Sequence, residues 1–322
     1  MQIYILHGLS GGCGVCCPWM SVCTQILVIL LYILIGWTVG KYGLINAEQR
    51  RYLTSICTNL ILPFTIVSAS NMAVTRLELA DLGLCIVLIF GLFIAITAIA
   101  LVIQGRLGIP MPARVTTAAL LTYPNSNFLG LPLCRALFGD MAILYNAVFL
   151  VAYNALFFTW QCSMFTGKRF QLKNLLNPAT ISTLLLILML LFGLRFPTPV
   201  QTVVSNTGAM ITPLSLIIIG VMMSESRIAL ILKERRAYII TLLRNILIPL
   251  LSMLLIRLLP GDSASRLCVL VYMACPCATL TTIYAIQNNM EADFAARSVL
   301  MSTLLFALTL PLVISIGMRF FA

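Results

Sequence analysis

Charge is scarce in this sequence: Asp, Glu, Lys and Arg make up 9% of its 322 residues, whereas 61% are hydrophobic. A soluble domain carries roughly a quarter charged residues. This small number of charged side chains cannot cover the surface of two soluble domains. The surface must therefore contact lipid instead. The composition therefore predicts an integral membrane protein.

Histidine is nearly absent, and acidic residues lie outside the centres of the apolar runs. The only histidine is His7, and neither an HExxH motif nor a pair of intramembrane carboxylates occurs. These absences argue against a membrane enzyme, a metal centre and a buried carboxylate proton relay. We expect no catalysis and no cofactor.

Basic residues outnumber acidic ones by 20 to 9, and most lie in short connections between apolar runs. This placement follows the positive-inside rule and does not indicate nucleic-acid binding. The connections after the first, third, fifth and seventh runs are the most basic, and they contain Lys41, Arg50, Arg51, Arg106, Arg114, Lys168, Arg169, Lys173, Arg227, Lys233, Arg235 and Arg236. We predict that these connections are cytoplasmic, with both termini on the extracytoplasmic side of the cell membrane.

The apolar runs are Leu- and Ile-rich and long enough to cross a bilayer as helices, which excludes a barrel. We predict an all-α protein of about ten transmembrane helices. Its spans are 24–40, 52–70, 82–104, 115–136, 141–165, 179–194, 203–223, 237–259, 267–287 and 294–318.

Eleven cysteines are scattered along the chain, mostly within apolar runs, where a thiol packs as a small hydrophobic group. Cys13 and Cys16 form a CxxC near the N-terminus, without a second pair of metal ligands nearby. Residues 1–19 lack the basic and apolar regions of a signal peptide. We expect them to be a disordered or misannotated extension, with Met20 as an alternative start.

Prolines recur in matching contexts in the two halves of the chain. Pro63 corresponds to Pro213 and Pro124 to Pro276, each pair about 150 residues apart. Five spans precede a second set of five, and an odd number of spans per half inverts the second copy, as in many secondary transporters. We predict a first half at 20–166, a cytoplasmic connection at 167–175 and a second half at 176–322.

The segment from Leu121 to Pro132 contains two prolines, a glycine and four polar side chains inside a predicted span. Proline removes a backbone donor, and Asn and Ser compete for backbone groups, so we expect the helix to break around Pro124 to Gly130. The segment around Pro276 is its counterpart. A half-helix beginning inside the membrane presents free N–H groups that attract anions. A simple proline kink is the alternative, although paired interruptions favour a binding site.

The candidate substrate-binding residues lie at the two breaks and at two asparagines within apolar runs. They are Pro124, Asn125, Ser126, Asn127, Pro276, Cys277, Thr279, Asn59 and Asn154. An unpaired amide in an apolar stretch would cost about 1–3 kcal/mol, so the two isolated asparagines need a polar partner. Arg244 and Arg297 are expected to snorkel to the interface, with neutralisation of an anion as an alternative for Arg297.

From Ile26 to Ile316 the sequence resembles the auxin efflux carrier family, which includes plant auxin exporters and bacterial malate-permease-like transporters. The order of the motifs carries this resemblance, more than any one motif. The motifs are Ile35-Gly36 through Gly43-Leu44, Asn59-Leu-Ile-Leu-Pro63, Asn125-Ser-Asn-Phe-Leu-Gly-Leu-Pro132, Asn177-Pro178, Thr212-Pro213-Leu214 with Gly220, and Pro276 with Ala278 and Thr279.

The resemblance implies a ten-helix carrier with inverted repeats, in which spans four and nine break and cross beside the substrate carboxylate. It assigns the substrate role to Asn125, Asn127 and the Pro276 region, with Asn59 and Asn154 beside them. The sequence departs from the family at Cys277, where members commonly carry Thr after the proline. This departure weakens the case for a hydroxyl ligand at that position.

The sequence thus predicts a secondary active transporter of a small organic anion, such as malate or an auxin-like weak acid, working by alternating access. Spans four, five, nine and ten would move against the rest in an elevator-like or rocking motion. A non-transporting receptor on the same fold and an anion channel are the alternatives. Coupling to Na⁺ or H⁺, transport driven by the membrane potential alone, and a homodimer are all left open.

Overall fold

The computed structural model describes residues 16–72, 76–169, 176–225 and 228–322, and every regular element in these ranges is a helix. The helices are α1 (Cys16–Lys41), α2 (Ala47–Asn71), α3 (Arg76–Arg106), α4 (Met111–Thr122), α5 (Ser126–Gly130 continuing as Leu131–Phe138), α6 (Met141–Thr166), α7 (Pro178–Phe192), α8 (Thr198–Ser224), α9 (Ile228–Lys233), α10 (Arg235–Ile256), α11 (Ser263–Ala274), α12 (Thr279–Gln287) and α13 (Ala292–Phe321). The predicted N-terminal extension falls mostly outside the described residues, which include it only from Cys16 onward, in α1.

Seven helices within the described ranges are long and apolar enough to cross a membrane: α1, α2, α3, α6, α8, α10 and α13. The remaining three predicted spans fall on shorter elements. These are the 15-residue α7 and the two interrupted pairs α4–α5 and α11–α12. The prediction of a multi-pass, all-helical membrane protein is confirmed.

Burial separates a central helix from helices at the lipid surface. Most of α6 is buried inside the protein (78%), whereas only 11% of the span on α1 and 22% of that on α3 is buried. The exposed side chains include Leu31 on α1 and Val87 on α3, which is the arrangement expected where lipid is the solvent. The helix α6 therefore forms the core against which the interrupted helices pack.

Three helices widen into a π-helical turn that ends two residues before a proline. Proline cannot donate to the carbonyl four residues earlier and clashes with it, so the preceding turn expands. At Pro132 the carbonyl released in this way belongs to Phe128, and the Ser215 hydroxyl of α8 donates to it at 2.8 Å. The three turns are Cys57–Ile61 before Pro63, Ser126–Gly130 before Pro132, and Leu243–Leu247 before Pro249.

Helices α1 and α8 approach each other through glycines. A Cβ atom added at Gly36 would lie 2.1 Å from the Ile217 carbonyl oxygen, and one added at Gly220 would lie 2.1 Å from the Ile33 carbonyl oxygen. No other residue fits at either position without moving the backbone, so this crossing depends on glycine. Gly36 and Gly220, which belong to the sequence motifs named above, thus have a packing role.

Candidate functional site

The first break separates α4 from α5. Helix α4 ends at Thr122, Tyr123 has an extended backbone, and α5 begins at Ser126. The Tyr123 ring is fully buried on α6, with its centroid 5.0 Å from that of Tyr153 and 4.9 Å from that of Phe157. Aromatic packing on the central helix therefore fixes the position of this break.

The second break separates α11 from α12, and α6 also anchors it. Helix α11 ends at Ala274, Cys275 and Ala278 are extended, and α12 begins at Thr279. The hydroxyl of Tyr272, in the last turn of α11, donates to the Ala142 carbonyl of α6 at 2.7 Å. Both breaks are thus held by the same helix.

The two extended segments pair with each other. The main-chain N–H of Asn125 donates to the Pro276 carbonyl at 2.7 Å, and the main-chain N–H of Ala278 donates to the Tyr123 carbonyl at 3.0 Å. Pro124 and Cys277 face each other in an antiparallel bridge. The predicted interruptions at both prolines are confirmed, and they meet inside the protein.

A cavity of about 240 Å³ lies beside this meeting point, between α2, α6 and the beginnings of α5, α7 and α12. Most of the predicted candidate residues line it. These are Asn59, Pro124, Asn125, Ser126, Asn127, Asn154 and Thr279.

Pro276 and Cys277 are the predicted site residues that do not line this cavity. Pro276 contributes its carbonyl to Asn125, and the Cys277 amide donates to the Ser302 hydroxyl of α13 at 3.2 Å. Successive residues of an extended segment face opposite sides, so Ala278 lines the cavity while the Cys277 side chain is buried on the far side.

The helix beginnings at the cavity have free hydrogen-bonding capacity. The first N–H groups of a helix have no intrahelical acceptor. The N-cap residues Asn125 and Ala278 make no side-chain capping bond in the described structure. The Ser126 hydroxyl is buried, and it also has no hydrogen-bond partner among the described residues. The α5 and α12 ends at the cavity therefore offer unpaired donors.

The predicted asparagines differ in their surroundings. The side-chain Nδ2 of Asn146 donates to the side-chain oxygen of Asn127 at 3.2 Å, and the side-chain Nδ2 of Asn154 donates to the Thr180 hydroxyl of α7 at 2.9 Å. Asn59 is exposed and donates to the Ser55 hydroxyl at 3.0 Å. Asn59, Asn127 and Asn154 therefore each have a polar side-chain partner, and Asn154 links α6 to α7 beside the cavity.

Four further polar residues line the cavity but are absent from the predicted set: Thr54, Thr58, Tyr153 and Asn177. Asn177 caps α7, because its side-chain oxygen accepts from the Thr180 amide at 2.9 Å. Its side-chain nitrogen has no partner in the described part of the chain. The Asn-Pro pair at a helix start was a usable signal for the cap. Thr54 and Thr58 lie one helical turn apart beside Asn59, and this spacing was a usable signal for the polar face of α2 that lines the cavity.

The described lining is otherwise apolar and contains no Lys, Arg, Asp or Glu. Its larger apolar side chains are Leu62, Phe128, Leu150, Phe158, Leu280 and Ile283. Within the described ranges no group of three or more His, Cys, Asp or Glu residues could hold a metal ion. The cavity can therefore hold a small solute through neutral polar groups, backbone amides and apolar contacts.

Arg244 of α10 is fully buried, so the prediction that it snorkels to the interface is wrong. Its guanidinium donates from Nε to the Cys275 carbonyl at 3.2 Å, from Nη1 to the Leu121 carbonyl at 3.0 Å, and from Nη2 to the Met273 carbonyl at 3.0 Å. The breaks expose these carbonyls, which gives a buried cation the acceptors it needs. Sequence reasoning missed this because the partners lie far from Arg244 along the chain.

Arg297 of α13 lies away from the cavity. It is partly exposed and pairs with Glu234 at 3.4 Å and with Asp293 at 3.8 Å. These two acidic partners already compensate its charge, so Arg297 belongs to a surface ion-pair group.

These features define a multi-pass helical membrane protein with a neutral polar cavity between two interrupted helices. A family model described as membrane transport protein matches residues 21–173 and 167–314. The chain belongs to this family, which is the auxin efflux carrier family that its motifs resemble.

Two archaeal relatives are similar over nearly their whole length. An uncharacterised transporter of Methanothermobacter thermautotrophicus is 23% identical over 307 residues, which cover 91% of this chain and 98% of the relative. An uncharacterised transporter of Methanocaldococcus jannaschii is 22% identical over 302 residues, which cover 89% of this chain and 96% of the relative. The similarity therefore extends over both breaks and the cavity.

Proposed function

We propose that the protein is a secondary carrier of a small organic anion, whose carboxylate binds where the two interrupted helices meet. One observation carries this proposal: the uncapped beginnings of α5 and α12 lie together at a cavity lined by neutral polar side chains. Asn125, Ser126, Asn127 and Thr279 would bind the carboxylate together with the helix amides. Asn59 and Asn154 would contact the rest of the substrate.

The electrostatics of the cavity favour a single negative charge. Each helix N-terminus acts as roughly half a positive charge, so the two together balance about one carboxylate. No basic side chain is present among the described lining residues to balance a second one. The apolar lining also matches a substrate with an apolar body. We therefore favour an auxin-like monocarboxylate over a dicarboxylate such as malate.

The transport cycle follows from the proposed ten-crossing, inverted-repeat topology, in which α7 and the pairs α4–α5 and α11–α12 supply three further crossings. The cavity adjoins the middle of α2 and the beginning of α7, and α7 follows the predicted cytoplasmic connection at 167–175. In this topology the cavity faces the cytoplasm. Movement of α4–α6 and α11–α13 against the other helices would turn it to the opposite side.

The driving force is a separate part of the proposal. The described lining offers no carboxylate that could bind a coupling cation or carry a proton. An anion leaving the cell is already favoured by an inside-negative potential, by about 2.3 kcal/mol per charge for 100 mV. We therefore favour export driven by the membrane potential, with Na⁺ and H⁺ coupling as the alternatives.

Uptake into proteoliposomes tests this function. Labelled phenylacetate and labelled malate are compared at a pH well above the pKa of each acid, so that passive diffusion of the neutral acid is small. Separate Na⁺, pH and potential gradients are imposed. We expect potential-driven movement of the monocarboxylate and much slower movement of malate.

Asn125→Ala and Asn127→Ala should each lower the rate, whereas Asn288→Ala should not. Asn288 is a matched asparagine outside the cavity, and its amide donates to the Tyr284 carbonyl at 2.8 Å. Unchanged transport in both cavity variants would remove the assignment of the site. Saturable binding without transport would favour a receptor instead of a carrier.

A further inference from the structure

Arg244 is a buried cation whose observed hydrogen bonds go to main-chain carbonyls. It lies in the π-helical turn Leu243–Leu247 of α10, and no described Asp or Glu pairs with it. Its acceptors come from two regions far apart in the sequence, Leu121 of α4 on one side and Met273 of α11 with the following Cys275 on the other. A buried charge is tolerated only where such partners are supplied. The burial of the Arg244 charge therefore depends on these three main-chain carbonyls.

The acceptors share one feature, which is that they lie at helix C-terminal ends. Leu121 is in the last turn of α4, Met273 is in the last turn of α11, and Cys275 follows directly after α11. Each C-terminus acts as roughly half a negative charge, so one guanidinium offsets both ends. The negative ends of the interrupted helices are thus neutralised from behind, and the positive ends of α5 and α12 are left uncompensated at the cavity.

The contacts of Arg244 are also close to the pairing of the two breaks. Cys275, which accepts from Nε, is next to Pro276, whose carbonyl accepts from the Asn125 amide. Leu121 lies two residues before Tyr123, whose carbonyl accepts from the Ala278 amide. The planar guanidinium presents several donors in a fixed geometry, which a lysine cannot reproduce. Arg244 therefore sets the relative position of the two breaks.

We propose that Arg244 is a positioning residue for anion binding: it joins and neutralises the two helix C-termini so that the opposite helix N-termini present a net positive field to the cavity. This proposal rests on the proposed function, because the anion is the substrate assigned above. Arg244 does not contact the anion, since it does not line the cavity. Its effect reaches the cavity through the backbone and the electric field.

Two readouts on purified full-length protein test the proposal. The first is hydrogen exchange of peptides covering 121–130 and 273–281, which requires no transport. Arg244→Gln should speed exchange at both breaks, whereas Arg257→Gln, an exposed arginine at the end of the same helix, should not. The second is the KM for phenylacetate transport, which should rise roughly tenfold in Arg244→Gln, because the field of both C-termini is then uncompensated.

Arg244→Lys separates the charge from the geometry. It should restore part of the KM while exchange at the breaks stays faster than in wild type, and it serves in place of Arg244→Gln should that variant not fold. A purely structural role would lower the amount of folded protein and leave the KM unchanged, which would overturn the proposal. Exchange and KM equal to wild type in both variants would overturn it as well. Faster exchange in a protein that moves no carboxylate would refute the proposed function while supporting the link between Arg244 and the breaks.

Discussion

The two breaks share a backbone arrangement but carry different side chains. The first presents Asn125, Ser126 and Asn127 to the cavity, whereas the second presents Ala278 and Thr279 and turns Cys277 away. The first break therefore supplies most of the polar side chains, and the second supplies mainly backbone. Matching broken helices do not need matching residues, because a helix N-terminus binds an anion through its amides whatever its side chains are.

The largest effect is expected where the two breaks contact each other. A Cβ atom at Gly130 of α5 would lie 2.8 Å from the Cys275 sulfur and 3.0 Å from the Tyr272 ring. Gly130→Val should therefore separate the breaks, abolish transport and destabilise the protein by about 1–3 kcal/mol. Thermal unfolding in detergent and proteoliposome transport measure this. Gly91→Val on α3 is the control, because no neighbouring atom of the described residues lies within 4 Å of a Cβ added there, and equal damage in both variants would refute the steric explanation.

The next effect tests the charge of the first break. Asn127→Asp keeps the oxygen that accepts from Asn146 and places a carboxylate at the uncapped start of α5. A negative group there stabilises the helix by about 0.3–1 kcal/mol, so the melting temperature should hold or rise. The same charge repels the substrate anion, and transport should fall by roughly two orders of magnitude. Retained transport in Asn127→Asp would show that no anion binds there.

The smallest effect compares single side chains at the two breaks. Ser126→Ala removes the unpartnered hydroxyl at the cavity and should raise the KM several-fold, by the loss of about one hydrogen bond. Cys277→Ala removes a thiol buried on the far side and should leave the KM within about twofold of wild type. The KM of both variants, measured in the same lipid, shows which break recognises the substrate through its side chains. The reverse order of effects would assign side-chain recognition to the second break.

Sequence reasoning could predict the breaks but not every direction in which their residues face. Proline, asparagine and serine within an apolar run have local consequences, so the interruptions at Pro124 and Pro276 were predictable. The orientation of Cys277 depends on how two distant extended segments pair, and no local pattern encodes that register. The side on which the Cys277 side chain lies is therefore known only from the structure.

The burial of Arg244 is a second feature that the local sequence could not predict. An isolated arginine in a 22-residue apolar helix is expected to reach for the interface. Its actual acceptors exist only because two other helices end inside the protein and leave carbonyls unpaired. A usable rule follows: a predicted pair of intramembrane breaks leaves two helix C-termini whose carbonyls require donors, and any arginine or lysine within an apolar span is a candidate for that task.

The glycine crossing of α1 and α8 restricts how the protein can rearrange. With Gly36 and Gly220 in backbone contact, no layer of side chains separates the two helices, so neither can slide or rotate on the other without a steric clash. These helices must travel or stay still as a single body. Any large displacement is thus directed to interfaces with adaptable side chains, such as the one between α6 and α7, where the Asn154–Thr180 hydrogen bond is a contact that can be exchanged.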